Sequence, residues 1–249
     1  MQDIVGYQSN AAANYIDDSI YAGKYSGIPY DEKQISKHGY IDNVRSIYGN
    51  IKSPLEARIN IIYKRCFDIM LSSLLLIGLL SWLIPLFVIL IKLDSKGPAF
   101  FLQKRKKKNG KLFTCIKLRT MLVNDEADSI GALENDSRIT RIGKIFRQYH
   151  VDELPQLWNV LIGDMSIIGP RPYMLIENYN YEKQIKEYSN RYKVKPGITG
   201  LAQSLGYFGF TDDLQKIDER VMLDLFYIKR WSFKMDIQIL FRTFLSIFS

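Results

Sequence analysis

The sequence predicts a mixed α/β, mostly helical monotopic membrane protein. It would combine a Pro-broken re-entrant helix, a small cytosolic core and amphipathic helices lying at the membrane interface. Three observations lead there. An uncharged apolar run from Ile69 to Ile91 contains Pro85. Basic residues flank that run on both sides. The stretch from Trp231 to the C-terminus is amphipathic at helical spacing.

The apolar run decides the cellular context. Its roughly 23 residues would rise about 35 Å as a helix, against a hydrocarbon core of about 30 Å. A single straight span with a tolerated proline is therefore one reading, and a buried core helix of a soluble protein a weaker one, because no residue of the run is polar enough to face water. Pro85 argues against a straight span. It removes a backbone donor and clashes with the preceding turn, costing about 3 kcal/mol in a regular helix. The part up to Ile84 rises only about 24 Å, too little to cross. Lys64 and Arg65 precede the run, and Lys92, Lys96 and the cluster Lys104, Arg105, Lys106, Lys107 and Lys108 follow it. Basic residues are retained on the cytoplasmic side, so a helix bent at Pro85 that enters and leaves by one face satisfies both flanks.

At the C-terminus, Phe233, Ile237, Leu240, Phe241, Phe244, Leu245 and Phe248 share a helical face, with Lys234, Asp236, Gln238 and Arg242 largely off it. This pattern suits a helix in the headgroup plane anchored by Trp231. It equally suits a helix closing a soluble core.

Composition bounds the rest. In 249 residues, 47% hydrophobic and 24% charged, there is enough apolar material for one large domain with appendages. An excess of 34 Lys and Arg over 26 Asp and Glu favours an anionic partner: nucleic acid, an acidic membrane surface or a phosphorylated ligand. The two cysteines, Cys66 and Cys115, cannot alone build a disulfide framework or a zinc site, and two histidines, His38 and His150, exclude a His-rich metal cluster. The first residues, MQDIVGYQSN, lack a basic and apolar leader, so a cytosol-facing protein is expected. The chain divides into a polar N-terminal arm over 1–58, a membrane-inserted region over 59–95 and a C-terminal domain over 96–249.

The chemistry-bearing segment runs from Arg147 to Pro172. Asp152 and Glu153 adjoin each other just before Pro155, and the pattern LPQLWNVL predicts a helix with the acids at its N-terminal approach. Acids there can simply cap backbone N–H groups. Arg147 upstream, Arg171 in the rigid Gly169-Pro170-Arg171-Pro172 turn, and Lys117 and Arg119 add cations. Carboxylates beside arginines can be plain salt bridges. They are also what metal-assisted phosphoryl transfer needs, acids to hold Mg²⁺ and guanidinium groups to grip phosphate oxygens.

These residues stand within an ordered set of motifs: Lys64-Arg65-Cys66-Phe67-Asp68, Pro85, Gly97-Pro98, Lys117 to Met121, Asp136 to Thr140, Asp152 to Leu157, Asn159 to Leu161, Gly163 to Ser166, Gly169 to Pro172, Lys195 to Gly200, and Asp224. In that order they resemble the bacterial sugar transferases known as monotopic phosphoglycosyl transferases, over about three quarters of the chain. The resemblance implies transfer of a sugar-1-phosphate from a UDP-sugar to undecaprenyl phosphate with release of UMP. It implies Asp152 as nucleophile forming a covalent phosphosugar–aspartyl intermediate, and Mg²⁺ held by Asp152 and Glu153. Arg147 and Arg171 are then the expected phosphate contacts, with Lys117, Arg119 and Asp224 as further substrate-binding residues.

The location implied is the bacterial inner membrane, with the catalytic domain facing the cytosol and anionic lipid headgroups against Lys104 to Lys111. Nucleic acid, the rival partner for those lysines, is disfavoured because they follow a membrane segment. A homodimer is allowed. Departures from the family pattern are Ile84 before the proline, His150-Val151 before the acids, and Lys107. The segment Gly206 to Thr211, with Glu219, Arg220 and Asp224, is similar to the branch acting on UDP-glucose or a close hexose. The rival functions are an inactive membrane scaffold of polysaccharide assembly and a lipid glycosyltransferase that releases UDP.

Overall fold

The computed structural model describes residues 51–124, 136–209, 211 and 213–246. Most of the N-terminal arm therefore lies outside the described residues. Residues 51–58, assigned to that arm by composition, pack closely. Ile51 and Leu55 are buried, a reciprocal Ser53–Glu56 capping box starts a 3-10 turn at Pro54–Glu56, and the Ser53 hydroxyl donates to the Ile228 carbonyl at 2.8 Å.

Helix α1 (Arg58–Leu75) continues through a π turn at Leu76–Leu80 into α2 (Ser81–Asp94). This Arg58–Asp94 unit is the one helix among the described residues long and apolar enough to cross a membrane. Pro85 lies inside α2, so the interruption expected at the proline is not a break between helices. The departure from α geometry comes earlier, in the π turn. Proline withholds only one donor, that to the Ser81 carbonyl four residues back. Separately, Ser81 Oγ donates to the Ile77 carbonyl at 2.7 Å and Trp82 Nε1 to the Gly78 carbonyl at 3.3 Å at the π turn.

Lys64 and Arg65 do more than flank the apolar run. Lys64 is buried and pairs with Asp236 at 2.7 Å; Asp236 also accepts from Tyr227 and Trp231. Arg65 donates to the Val160 and Leu161 carbonyls, 2.6 Å each. Asp68 accepts from Ser166 Oγ and the Ile167 amide. These contacts key α1 into the rest of the chain.

Strands β1 (Phe100–Lys106) and β2 (Leu112–Leu118) form an antiparallel hairpin, Phe100 opposite Leu118 and Lys106 opposite Leu112. Asn109 and Gly110 supply its positive-φ turn. Strand alternation turns part of the basic cluster inward. Arg105 is buried against Gln103 Oε1 and the Pro172 carbonyl, Lys106 pairs with Glu182 and Lys107 with Asp164. Lys104, Lys108 and Lys111 remain exposed.

The chain continues through α3 (Arg141–Gln148), a 3-10 turn (Val151–Glu153), α4 (Gln156–Ile162), β3 (Ser166–Ile168), α5 (Leu175–Gln184), a 3-10 stretch (Tyr188–Lys193), β4 (Gly197–Thr199), α6 (Leu201–Ser204), α7 (Leu214–Arg230) and α8 (Phe233–Ser246). Mostly helical with two small sheets among the described residues, it matches the mixed α/β, mostly helical part of the expectation. β3 and β4 pair in parallel, Ser166 with Gly197 and Ile168 with Thr199. A Cβ on Gly197 would collide with the Gly169 backbone, which is why both motifs carry glycine where they cross. Around this ladder Val160, Met165, Ile168, Val221, Leu225 and Ile228 form the core. On α8, Met235, Asp236 and Ile239 are buried, while Phe233, Ile237, Phe241 and Phe244 face outward.

Candidate active site

Four pieces of the chain meet at the acidic pair. α4 starts where the sequence places it and ends at Gly163, whose φ of 96° suits a left-handed helix stop. Its Asn159 side chain accepts from the Ile116 amide at 3.0 Å and donates to the Thr114 carbonyl at 2.8 Å, so the helix is stitched to β2. That stitch brings Lys117 on β2 to Glu153, Nζ to Oε1 at 2.7 Å. The β3–β4 ladder presents the Gly169–Pro172 turn, from which Arg171 donates twice to Glu153, at 2.9 Å and 2.5 Å. From the C-terminal turn of α3, Arg147 Nε donates to Thr120 Oγ1 at 2.8 Å.

The two acids differ sharply. Both are buried, but Glu153 is clamped by two cations, whereas among the described residues no hydrogen bond reaches the Asp152 carboxylate. Burial alone would raise Glu153; Arg171 and Lys117, through charge and hydrogen bonds, outweigh it and hold the group well below the usual carboxylate range. Burial pushes the Asp152 carboxyl up, Glu153 adds to the rise and Lys117 opposes it. Burial also pulls the Arg147 guanidinium down, with Asp152 as its main counterweight. Beyond the Nε bond to Thr120, no other hydrogen bond engages the Arg147 guanidinium among the described residues, and its charge acts on Asp152. His150, just before the turn, adopts a left-handed φ of 55° and sets its ring edge-on to Phe208 at 6.2 Å.

Five expected site residues thus converge: Lys117, Arg147, Asp152, Glu153 and Arg171. Two do not. Arg119 turns to the end of α2 and donates to the Ser95 carbonyl at 2.7 Å and to that of Lys96. Asp224 is buried, ion-paired to Arg191 at 2.8 Å. Arg191 itself, which sequence reasoning missed, donates to the Arg171 carbonyl at 2.6 Å; its position just before the Lys195–Gly200 motif was the available signal.

Among the described residues no third His, Cys, Asp or Glu joins the pair in a metal-sized cluster. A Mg²⁺ ion keeps several waters and needs only one or two carboxylates plus substrate phosphates. The donor set fits such an ion, with Asp152 open and lone pairs left on Glu153.

An open carboxylate beside a clamped one, ringed by guanidinium and ammonium groups on a body keyed to a long apolar helix, is the kind of donor set that phosphoryl transfer uses. The family model described as bacterial sugar transferase matches residues 59–249, and the chain belongs to that family. UDP-glucose:undecaprenyl-phosphate glucose-1-phosphate transferase of Klebsiella pneumoniae is 46% identical over 192 residues, covering 77% of this chain and 41% of that protein. Exopolysaccharide production protein PSS of Rhizobium leguminosarum bv. phaseoli is 44% identical over 75% of this chain and 96% of its own length. UDP-N-acetylgalactosamine-undecaprenyl-phosphate N-acetylgalactosaminephosphotransferase of Aeromonas hydrophila is 41% identical over 79% of this chain and 45% of its own length. The chain therefore spans about two fifths of the Klebsiella relative.

Proposed function

We propose that the chain is a phosphoglycosyl transferase that moves a hexose-1-phosphate from a UDP-sugar to undecaprenyl phosphate and releases UMP, initiating exopolysaccharide, capsule or O-antigen synthesis. UDP-glucose is the favoured donor, since several relatives carry glucose in their names. The observation that supports the reading best is the open Asp152 carboxylate beside the cation-clamped Glu153.

Asp152 attacks the β-phosphorus of the donor, forming an acyl phosphate as the bond to the bridging oxygen breaks and its electron pair leaves on UMP. An oxygen of the lipid phosphate then attacks the same phosphorus, the acyl–phosphate bond breaks, and Asp152 returns as carboxylate. The sugar C1–O bond stays intact throughout. Arg147 and Arg171 grip the diphosphate oxygens. Glu153 fixes Lys117 and Arg171 so that neither collapses onto the nucleophile. Asp152 and Glu153 would hold Mg²⁺, which supplies charge neutralisation between carboxylate and diphosphate when bound.

Membrane geometry supports the same reading. α1 docks through Lys64, Arg65 and Asp68. α2 docks on the same body through Phe87 against Phe146, Ile91 in the cluster with Leu118, and Asp94, which caps the Ile142 amide. Leu74, Ile77 and Trp82, between the docked limbs, are exposed. A straight helix of this length would extend about 55 Å, so two docked limbs with a mostly exposed middle, Leu80 excepted, favour a re-entrant dip from the cytosolic face. The outward apolar face of α8 suits the same surface.

Two measurements test the proposal. Incubating the chain with undecaprenyl phosphate, Mg²⁺ and a panel of UDP-sugars is expected to yield UMP; UDP as product would indicate a glycosyltransferase, and no nucleotide a scaffold. Native Cys66, and Lys96→Cys in a Cys66→Ser background, are expected to react with an impermeant maleimide from the cytosolic side only. Labelling on opposite sides would mean a straight span.

A further inference from the structure

We infer that Asp224, Arg191 and Arg220 form a brace that sets the Arg171 turn and the 206–209 loop relative to each other, making all three positioning residues for the two ends of the donor. Only the kinetic consequence rests on the transferase reading; the geometry stands by itself.

Arg191 is 3% exposed and uses every guanidinium nitrogen. Nε donates to Asp224 Oδ2 at 2.8 Å, Nη1 to the Tyr188 hydroxyl at 2.9 Å and Nη2 to the Arg171 carbonyl at 2.6 Å. The Tyr173 and Tyr188 rings lie 4.7 and 4.9 Å from its central carbon, so the group cannot tilt without losing both. Arg220 stands one turn before Asp224 on α7, where i and i+4 side chains share a face. It donates from Nη1 to the Gly209 carbonyl at 2.9 Å and from Nη2 to the Phe208 carbonyl at 3.1 Å. The loop can present both carbonyls because Gly206 and Gly209 take positive φ, 89° and 80°. The Phe208 ring in turn meets His150, which opens the Asp152 turn.

One buried carboxylate therefore bonds Arg191 and lies in the field of Arg220, its neighbour one turn back. Arg191 reaches on to the Arg171 carbonyl and Arg220 to the Phe208 and Gly209 carbonyls. Asp224 is 3% exposed, too enclosed to meet a sugar. Its value is spacing. The Arg171 turn handles phosphate, the 206–209 loop meets His150 through Phe208, and misplacing either by about 1 Å can cost about a hundredfold in rate.

The test uses the full chain in lipid nanodiscs. Arg191→Lys is expected to lower kcat about tenfold or more with the donor KM within about threefold, and Arg220→Lys to raise donor KM about tenfold with kcat within about twofold. Hydrogen exchange should rise at 169–173 alone in Arg191→Lys, at 206–209 alone in Arg220→Lys, and at both in Asp224→Asn. Should Asp224→Asn fail to fold, the two lysine variants decide. Exchange that rises evenly along the chain or not at all, or the same kinetic parameter shifting equally in both variants, would overturn the brace. Wild type that releases no UMP from any UDP-sugar would remove the transferase reading, and the exchange pattern would still decide the brace.

Discussion

Asp152→Asn protein is expected to release UMP about a thousandfold more slowly than wild type, or slower, and to trap no acyl phosphate with donor alone. An amide is a poor nucleophile, and among the described residues no other carboxylate at the site is open, since Glu153 is held by Lys117 and Arg171. Stability should move the other way. Asp152 accepts no hydrogen bond among the described residues, and burial raises its pKa above the ordinary 3.8. A raised carboxyl favours the protonated form in the folded state, so ionising it as pH rises subtracts stability. The neutral asparagine is thus expected to melt at or above the wild-type temperature near neutral pH. The same shift fixes the wild-type rate profile. Donor turnover should fall as pH drops through a pKa above 3.8, because attack needs the ionised form. A variant that kept wild-type UMP release would end the nucleophile assignment.

The residues of this centre differ in how far the sequence alone could place them. Asp152, Glu153, Arg147 and Arg171 lie within one short stretch, and their chemistry is local enough to be read from types and spacing. Lys117 and Arg119 are two residues apart and identical in charge, yet one reaches Glu153 and the other ties down the end of α2. Only the tertiary path of the chain after β2 separates them. Asp224 carries a charge that looked like a substrate contact, but its partner lies 33 residues away and the pair is buried. Asn159 is similar: its amide replaces a strand partner for residues more than 40 positions upstream. The helical character of the apolar run was legible from hydropathy. The behaviour at Pro85 was not, because one withheld backbone bond can be carried inside a long helix that propensity would end there. Lys64 and Arg65 read in the sequence as charges flanking the apolar run; they also proved to be anchors, a second role that charge counting cannot see.

Glu153→Gln should show what the clamped acid does. Arg171 meets Glu153 with two bonds, and Lys117 adds a third at 2.7 Å. Removing the negative charge leaves two cations facing each other beside Asp152. Breaking a buried pair this way costs about 3–5 kcal/mol; the Arg171 side chain is 34% exposed, so solvent softens the loss. A net destabilisation of about 2 kcal/mol is expected, seen as a fall of about 4–8 °C in melting temperature. The pH dependence has a definite sign. A carboxyl held below its ordinary 4.5 gives stability that is present above that value and lost as pH falls through the folded pKa. The gap between wild type and variant should therefore be widest near neutral pH and close in acid. Activity should fall about a hundredfold by a route distinct from that of Asp152→Asn, because the released Arg171 and Lys117 can now pair with the nucleophile and blunt it. That pairing lowers the Asp152 pKa, so the acid limb of the rate profile should move to lower pH even as the maximum falls. A variant that melted with wild type at pH 7 and kept the wild-type acid limb would show that Glu153 neither anchors the cations nor shields Asp152 from them.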